Sequence, residues 1–158
     1  MLSKFKHVQI QASIDGTGLV NDYIRAPSHW ETIKRNFIAL GELPNVKLNM
    51  SPAIQIFNVL NIDDIISFGE QVSRKQNRVI DIDFLYVSHP TYLDVSNLSD
   101  EIRDLTLLEQ ERHPDWKKNM KEFWNMTEIL DKRRNQKFED YVPELFRYMK
   151  DEYNGTKK

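Results

Sequence analysis

The spacing of hydrophobic residues predicts that strands and helices alternate along the first half of the chain. In HVQIQASID, residues 7–15, apolar and polar side chains alternate, which is typical of a strand with one face against a core. The same period of two recurs in VKLNMS, residues 46–51, and in VIDIDFLYV, residues 79–87. These patterns predict three strands, each with one apolar and one polar face.

Two amphipathic helices separate the predicted strands. Ser28 stands three residues before Glu31, which is the spacing of a capping box, and apolar residues then recur at helical spacing. This pattern predicts a helix over residues 29–41. In residues 61–76, apolar side chains fall on one side, with acidic residues at the start and basic residues near the end, as the helix dipole favours. This pattern predicts a second helix.

The order strand, helix, strand, helix, strand favours parallel strands in right-handed βαβ units. A parallel sheet that helices cover on both sides has two apolar faces, whereas these strands have only one. Helices on one side of such a sheet are typical of an arc of a β/α barrel, and three strands cannot close a barrel. We therefore predict an α/β fold, with three parallel strands in βαβαβ order that form an arc of a β/α barrel (the half-barrel), followed by C-terminal helices. Its polar face carries Gln9, Gln11, Ser13, Asp15, Lys47, Asn49, Asp81 and Asp83.

Helical patterns fill the rest of the chain. One helix is predicted from an N-cap at Ser99 to His113, a second begins at Pro114, and a short closing helix surrounds Pro143. We expect residues 1–95 to form the half-barrel and residues 96–158 to form a helical region packed on it. The length of 158 residues is that of a single domain overall.

The composition excludes several classes of binding partner and several cellular locations. The chain has 22 Lys and Arg against 24 Asp and Glu, a net charge of −2, so no global field attracts nucleic acid or an anionic membrane. No apolar run approaches the roughly 20 residues of a membrane span, and the first residues lack the apolar core of a signal peptide. We expect a cytoplasmic protein that binds neither nucleic acid nor membrane.

The residue types also exclude several kinds of site. The absence of cysteine excludes disulfides, thiolate zinc sites and any iron–sulfur cluster held by this chain's own thiolates. The four histidines lack the spacing of metal ligands, so no metal site is predicted. Gly16 and Gly18 lack the further residues of a phosphate loop and predict a turn. A small hydrolase that uses Asp81, Asp83 and His89 is an alternative, although no nucleophile supports it.

Three stretches together resemble a known family. QASIDGTG, then NDYIR, then SHWETIKRNF resembles the fourth strand and helix of radical S-adenosylmethionine enzymes of the SPASM and twitch group. VKLNMSPAIQIFNVLNIDDIISF is similar to the fifth strand and helix of those proteins. HPTYLDVSNLSDEIRD and LDKRRNQKFEDYVPEL are similar to the C-terminal region of twitch-type proteins found in phage and marine bacterial sequences. The resemblance covers nearly the whole chain.

The resemblance implies S-adenosylmethionine as the cofactor and assigns residues to it. Ser13 and Asp15 would face the ribose and methionine parts of the cofactor, and Arg25 and Asn58 are further contacts implied in the same way. The polar strand face would then line the cofactor and the substrate. The residues expected to face the substrate are Gln9, Gln11, Asn49, Asp81 and Asp83.

The chain departs from the family at its cluster-binding motif. The Cys-x3-Cys-x2-Cys loop and the Gly-Gly-Glu segment are both absent from this sequence. A [4Fe–4S] cluster could therefore come only from another chain, because three thiolates fix that cluster to protein. The resemblance then implies that the chain is the C-terminal half of a partial (β/α)6 TIM-like barrel, and that SIDG lies so near Met1 because the cluster-bearing half is missing.

Two hypotheses stay open, and neither assigns catalytic residues or a substrate. In the first, the chain is a truncated or split radical S-adenosylmethionine protein that is inactive by itself and needs a separately encoded amino-terminal half. In the second, it is a non-catalytic binding or interaction module that forms a homodimer through the exposed edge of its first strand, since unpaired edges invite pairing.

Overall fold

The computed structural model describes residues 2–106 and 111–156 of an α/β protein. The strands are β1 (Val8–Ala12), β2 (Val46–Met50), β3 (Ala53–Ile54), β4 (Asp81–Ile82) and β5 (Leu85–Tyr86). The helices are α1 (Gly18–Ile24), α2 (Trp30–Gly41), α3 (Ile62–Gln76), α4 (Asp100–Leu105), α5 (Trp116–Arg134), α6 (Phe138–Tyr141) and α7 (Pro143–Thr156). Short 3₁₀ turns occupy Leu2–Lys4, Ile56–Asn61, Thr91–Leu93 and Val95–Asn97.

The described residues form two compact units. The first contains the chain up to Ala53 together with Asn61–Leu85, and the second contains Ile54–Leu60 and the chain from Tyr86 onwards. The boundary between them falls inside β3 and inside β5. None of the described helices has both the length and the apolar character needed to cross a membrane.

A parallel sheet in the order β1-β2-β4 is the centre of the first unit, which confirms the predicted βαβαβ arrangement. Val46, Leu48 and Met50 of β2 are all buried. The helices α2 and α3 make the two crossovers and contribute a ring cluster to the core. Trp30 and Phe68 meet edge to face with centroids 4.9 Å apart, and Phe37 lies 5.7 Å from Phe68. Burial of these rings explains why the predicted helical periodicity holds.

Helix α3 approaches the sheet closely at Gly69. A Cβ atom added there would lie 2.7 Å from Cδ1 of Ile82 and 3.4 Å from Sδ of Met50. Because a contact under 3 Å requires movement of the neighbour, glycine sets the distance between this helix and the strands.

The third strand is shorter than its alternating pattern predicts. β4 ends at Ile82, and β5, which begins after two intervening residues, belongs to a separate two-stranded sheet with β3. The Asp83 N–H donates to the Met50 carbonyl and the Leu85 N–H to the Pro52 carbonyl, so the backbone keeps the same register while its partner changes from β2 to β3. Alternation alone cannot reveal this change of partner, because alternation does not depend on which strand is the partner.

The N-terminus of α2 differs from the predicted capping box. His29 is the N-cap residue, and the buried Ser28 hydroxyl has no hydrogen-bond partner among the described residues. The Trp30 N–H donates instead to Oδ1 of Asp22 at 2.6 Å. Asp22 lies in α1, a short helix that the sequence pattern did not predict. A side-chain oxygen of the preceding helix therefore replaces the local hydroxyl as the acceptor.

Aromatic side chains form the core of the second unit. Phe57 lies 4.9 Å from Phe123 and 5.4 Å from Phe138, centroid to centroid, and Trp124 lies 5.2 Å from Phe123. Leu145 of α7 is fully buried. The C-terminal region is thus helical, as predicted.

One predicted helix in this region is too long. Ser99 is the N-cap of α4, as expected, but the helix ends at Leu105 and residues 111–115 are not helical. The intervening positions 107–110 lie outside the described residues. The chain before α5 is instead fixed by hydrogen bonds, of which one joins the His113 N–H to the Ser96 carbonyl at 2.9 Å.

Candidate functional site

Polar side chains from all three strands of the first unit lie side by side on one face of the sheet. The register pairs Gln9 with Lys47, and it places Gln11, Asn49 and Asp81 in one row across β1, β2 and β4. Side chains in register on parallel strands point to the same face, and neighbouring strands are about 4.8 Å apart. We call these five residues the polar strand face. The structure thus brings together four of the five residues predicted to face a substrate.

Two further residues of the predicted polar face, Ser13 and Asp83, lie just beyond the ends of their strands. Ser13 follows β1 and Asp83 follows β4, and both are exposed. These positions are at the carboxyl ends of parallel strands, where α/β proteins commonly bind ligands.

An ion pair crosses the polar strand face. Nζ of Lys47 lies 2.9 Å from Oδ2 of Asp81, and their side chains are 58% and 46% exposed. Such an exposed pair contributes about 0–1 kcal/mol to stability. A ligand can therefore compete for either charge at small cost.

Asn49, in the middle of the row, is buried although its neighbours are exposed. The residue is 7% exposed, and its side-chain oxygen has no hydrogen-bond partner in the described part of the chain. An unsatisfied buried polar group costs about 1–3 kcal/mol. Asn49 is therefore a position where the fold gives up stability and a bound ligand would restore a hydrogen bond.

The loop after β1 contains a buried carboxylate. Oδ2 of Asp15 lies 2.5 Å from Nη2 of Arg25, and Oδ1 accepts the Ala53 N–H at 2.9 Å. The Asp15 side chain is 3% exposed, whereas that of Arg25 is 45% exposed. The structure thus brings together two residues that the resemblance assigned to the cofactor. One oxygen of Asp15 holds Arg25, and the other holds the loop against Ala53, which begins β3.

Asn58 lies in the second unit. It is fully buried, and its side-chain oxygen accepts the Gln55 N–H at 2.7 Å. This bond closes a turn between residues three apart, which is a common structural use of asparagine.

The Gly16–Gly18 turn is fixed by hydrogen bonds within the first unit. The Thr17 N–H donates to Oδ1 of Asn61 at 2.7 Å, and Nδ2 of Asn61 donates to Oδ2 of Asp64 at 2.7 Å. Gly18 has a φ of +56°, which favours glycine. The sequence pattern did not predict the role of Asn61, although asparagine before a helix start is a recognisable signal.

The described residues do not fit equally well the two cofactors that the resemblance implies. Ser13 is exposed at the strand end and is available to a ribose hydroxyl, whereas a direct contact from Asp15 would require its ion pair with Arg25 to open. A [4Fe–4S] cluster does not fit this chain, which has no cysteine. Among the described residues, no group of three His, Asp or Glu side chains is placed to hold a metal ion.

Comparison with known proteins identifies no relative: neither a protein-family model, nor a curated protein sequence, nor a solved structure matches the chain. The relationship to radical S-adenosylmethionine proteins therefore stays a prediction.

Proposed function

We propose that this chain is the cluster-free half of a radical S-adenosylmethionine-type partial (β/α)6 barrel, and that it is not catalytic alone. It contributes the wall formed by the polar strand face and by Ser13. Three features support this proposal: the parallel βαβαβ order, the polar face opposite the helices, and the loop that follows β1.

The observation that carries the proposal is the open edge of β1. In the described sheet β1 is an end strand, with β2 as its neighbour. The Val8 N–H donates to the Asn45 carbonyl, and the Ser51 N–H donates to the Ala12 carbonyl. The backbone N–H and C=O groups of the even-numbered residues of β1 therefore point toward β2. Backbone groups alternate in a parallel ladder, so those of Gln9 and Gln11 point to the open edge. An open edge of this kind accepts another strand.

The partial burial of the β1 side chains supports the presence of a further strand at this edge. Its apolar residues Val8, Ile10 and Ala12 are only half-buried, whereas Val46, Leu48 and Met50 of the central strand are buried. An additional strand would cover the partly exposed row. In the proposed barrel this strand is parallel to β1 and belongs to a segment outside this sequence that carries the three cluster cysteines.

The bound cofactors would supply reductive cleavage of S-adenosylmethionine, and the residues of this chain would bind and orient. Ser13 would contact the cofactor, and Gln9, Gln11, Asn49, Asp81 and Asp83 would face the substrate. Arg25, which is partly exposed, would meet an anionic group of the ligand.

The test begins with the DNA that flanks the coding region, which is searched for a segment that encodes the Cys-x3-Cys-x2-Cys strand. That segment is produced together with this chain under reducing, anaerobic conditions, and 5′-deoxyadenosine formation is measured. We expect a stable complex and cofactor cleavage, both abolished by Gln11→Pro, which removes one N–H from the open edge but none from the β2 ladder. Gln11→Ala is the matched control. If no complex forms between the two segments, the proposal is wrong.

The same edge supports a second candidate, a homodimeric interaction module. Two copies related by a two-fold axis would pair their β1 strands antiparallel and form one continuous sheet. Analytical ultracentrifugation at micromolar concentration would then detect a dimer for the wild-type chain and for Gln11→Ala, and a monomer for Gln11→Pro. A wild-type monomer under these conditions contradicts the homodimer and leaves the first proposal to its own test.

A further inference from the structure

The first unit contains a cavity of about 660 Å³ at the amino edge of the sheet, where β1, β2 and β4 begin and α2 and α3 end. Its lining includes Lys6 and His7, which precede β1, and Val79 and Ile80, which precede β4. Small-molecule sites in proteins commonly have volumes of about 300–1,000 Å³. The cavity is therefore large enough for a small organic molecule.

The charged groups that line this cavity are basic. Among the described lining residues, Lys6, His7, Lys47 and Arg78 are basic and none is acidic. Lys47 is paired with Asp81, so its charge is already used. Lys6 and Arg78 form no ion pair in the described part of the chain. These two cations favour an anionic ligand.

The guanidinium of Arg78 is held in place by uncharged acceptors. Its Nη1 donates to the carbonyls of Gly41 at 3.1 Å, Leu43 at 2.9 Å and Val46 at 3.1 Å, which fixes the side chain between the end of α2 and the start of β2. Nε and Nη2 have no hydrogen-bond partner among the described residues, and neither atom is fully buried. The N–H groups of Nε and Nη2 lie along one edge of the guanidinium, which is the geometry that binds both oxygens of a carboxylate.

Apolar side chains contribute much of the remaining lining. They are Val8, Pro44, Val46, Leu48, Val79 and Ile80. Val79 is 75% exposed, so its side chain is accessible to a ligand. Covering such side chains with an apolar group is favourable, whereas a small hydrated anion would gain nothing from them. The lining therefore favours a ligand that has an apolar part as well as a negative charge.

We propose that this cavity binds the carboxylate of a small apolar acid. The two oxygens of the carboxylate accept from Nε and Nη2 of Arg78, and Lys6 supplies a second positive charge. The apolar part of the acid covers Val79 and the other apolar side chains of the lining. This proposal rests on the amino edge of the sheet and does not depend on the proposed function, which concerns the polar strand face and the open edge of β1.

The test measures the binding of octanoate to the full-length protein by calorimetry at constant ionic strength. 1-Octanol, which keeps the chain without the charge, and acetate, which keeps the carboxylate without the chain, are the controls. We expect octanoate to bind at least about tenfold more tightly than either control, because hydrogen bonds to a charged group and the burial of several methylene groups each contribute that much. The NMR signal of the Arg78 Nε–H should shift when octanoate binds. Equal binding of octanoate and either control, or an unchanged Arg78 signal, overturns the proposal.

Two pairs of matched variants test the location of the site. Lys6→Gln should weaken octanoate binding about threefold, whereas Lys4→Gln, at an exposed position outside the lining, should leave it unchanged. Val79→Asp should weaken binding at least about tenfold relative to Val79→Asn, which has the same shape, because only the aspartate repels a carboxylate. All four substitutions are at exposed positions, and urea unfolding checks that the variants are folded. Equal effects within either pair overturn the assignment of the site.

Discussion

Nη2 of Arg25 lies 2.5 Å from Oδ2 of Asp15, although the guanidinium side chain is 45% exposed and the carboxylate only 3%. The pair connects the loop after β1 to the end of α1 and is accessible from one side. A ligand that approaches this loop meets Arg25 first. Asp15 contributes to this loop by fixing the positions of Arg25 and Ala53.

Arg25→Ala should lower the free energy of unfolding by about 2 kcal/mol, because it leaves a buried carboxylate without its cation. The partial exposure of Arg25 keeps this value below that of a fully buried pair. Urea denaturation measures the change. Arg35→Ala, at an exposed position of α2, is the matched control and should change stability by less than about 0.5 kcal/mol. Equal losses for the two variants would show that the ion pair is not structural.

Asn49→Leu should raise the free energy of unfolding by about 1–2 kcal/mol, because it replaces an unsatisfied buried amide with an apolar side chain of similar size. The gain is measured by urea denaturation of the ligand-free protein. Gln9→Leu, on the same strand face but exposed, should have no such effect. A loss of stability for Asn49→Leu would indicate that the amide has a partner in solution.

Gly69→Ala should destabilise the first unit by about 1–3 kcal/mol, because the added methyl group would lie 2.7 Å from Cδ1 of Ile82. Ile82→Val removes that Cδ1 atom, so the double variant should be more stable than Gly69→Ala alone. A double-mutant cycle in urea gives the coupling energy. Additive effects of the two substitutions would contradict the close approach of α3 to β4.

Asn97→Asp should destabilise the second unit by about 2–4 kcal/mol. The fully buried Asn97 donates through Nδ2 to the carbonyls of Thr91 at 2.7 Å and Asp94 at 2.9 Å, and its Oδ1 accepts from Asn119 at 2.9 Å. A carboxylate would face two carbonyl oxygens with no proton to donate. Hydrogen exchange of the second unit measures the loss, and Asn125→Asp, at an exposed position of α5, is the control. Similar exchange in both variants would refute the role of Asn97.

Some parts of this protein could be predicted from local sequence patterns. The period of two placed Gln9, Gln11, Asn49 and Asp81 on one polar face, and the register confirms this because side-chain direction in a strand depends only on parity. Helical periodicity located α2 and α3, because the direction of a side chain in a helix also depends only on its position along the sequence. The left-handed Asn77 and Asn135 end α3 and α5 at positions where asparagine is favoured.

Other parts were beyond local patterns because they depend on groups distant in sequence. Capping of α2 by Asp22 instead of Ser28 depends on α1, and the division of the third strand into β4 and β5 depends on its two partners, β2 and β3.

The sequence by itself determined the parallel α/β order, the polarity of the strand faces and the absence of sulfur ligands, because these follow from residue type and spacing. Only the tertiary structure decided that Asp15 is paired with Arg25 and that the side-chain oxygen of Asn49 is buried without a partner in the described chain. Each of these depends on contacts between residues that are distant in sequence. Burial and hydrogen bonding are determined by such contacts and not by the residue types alone.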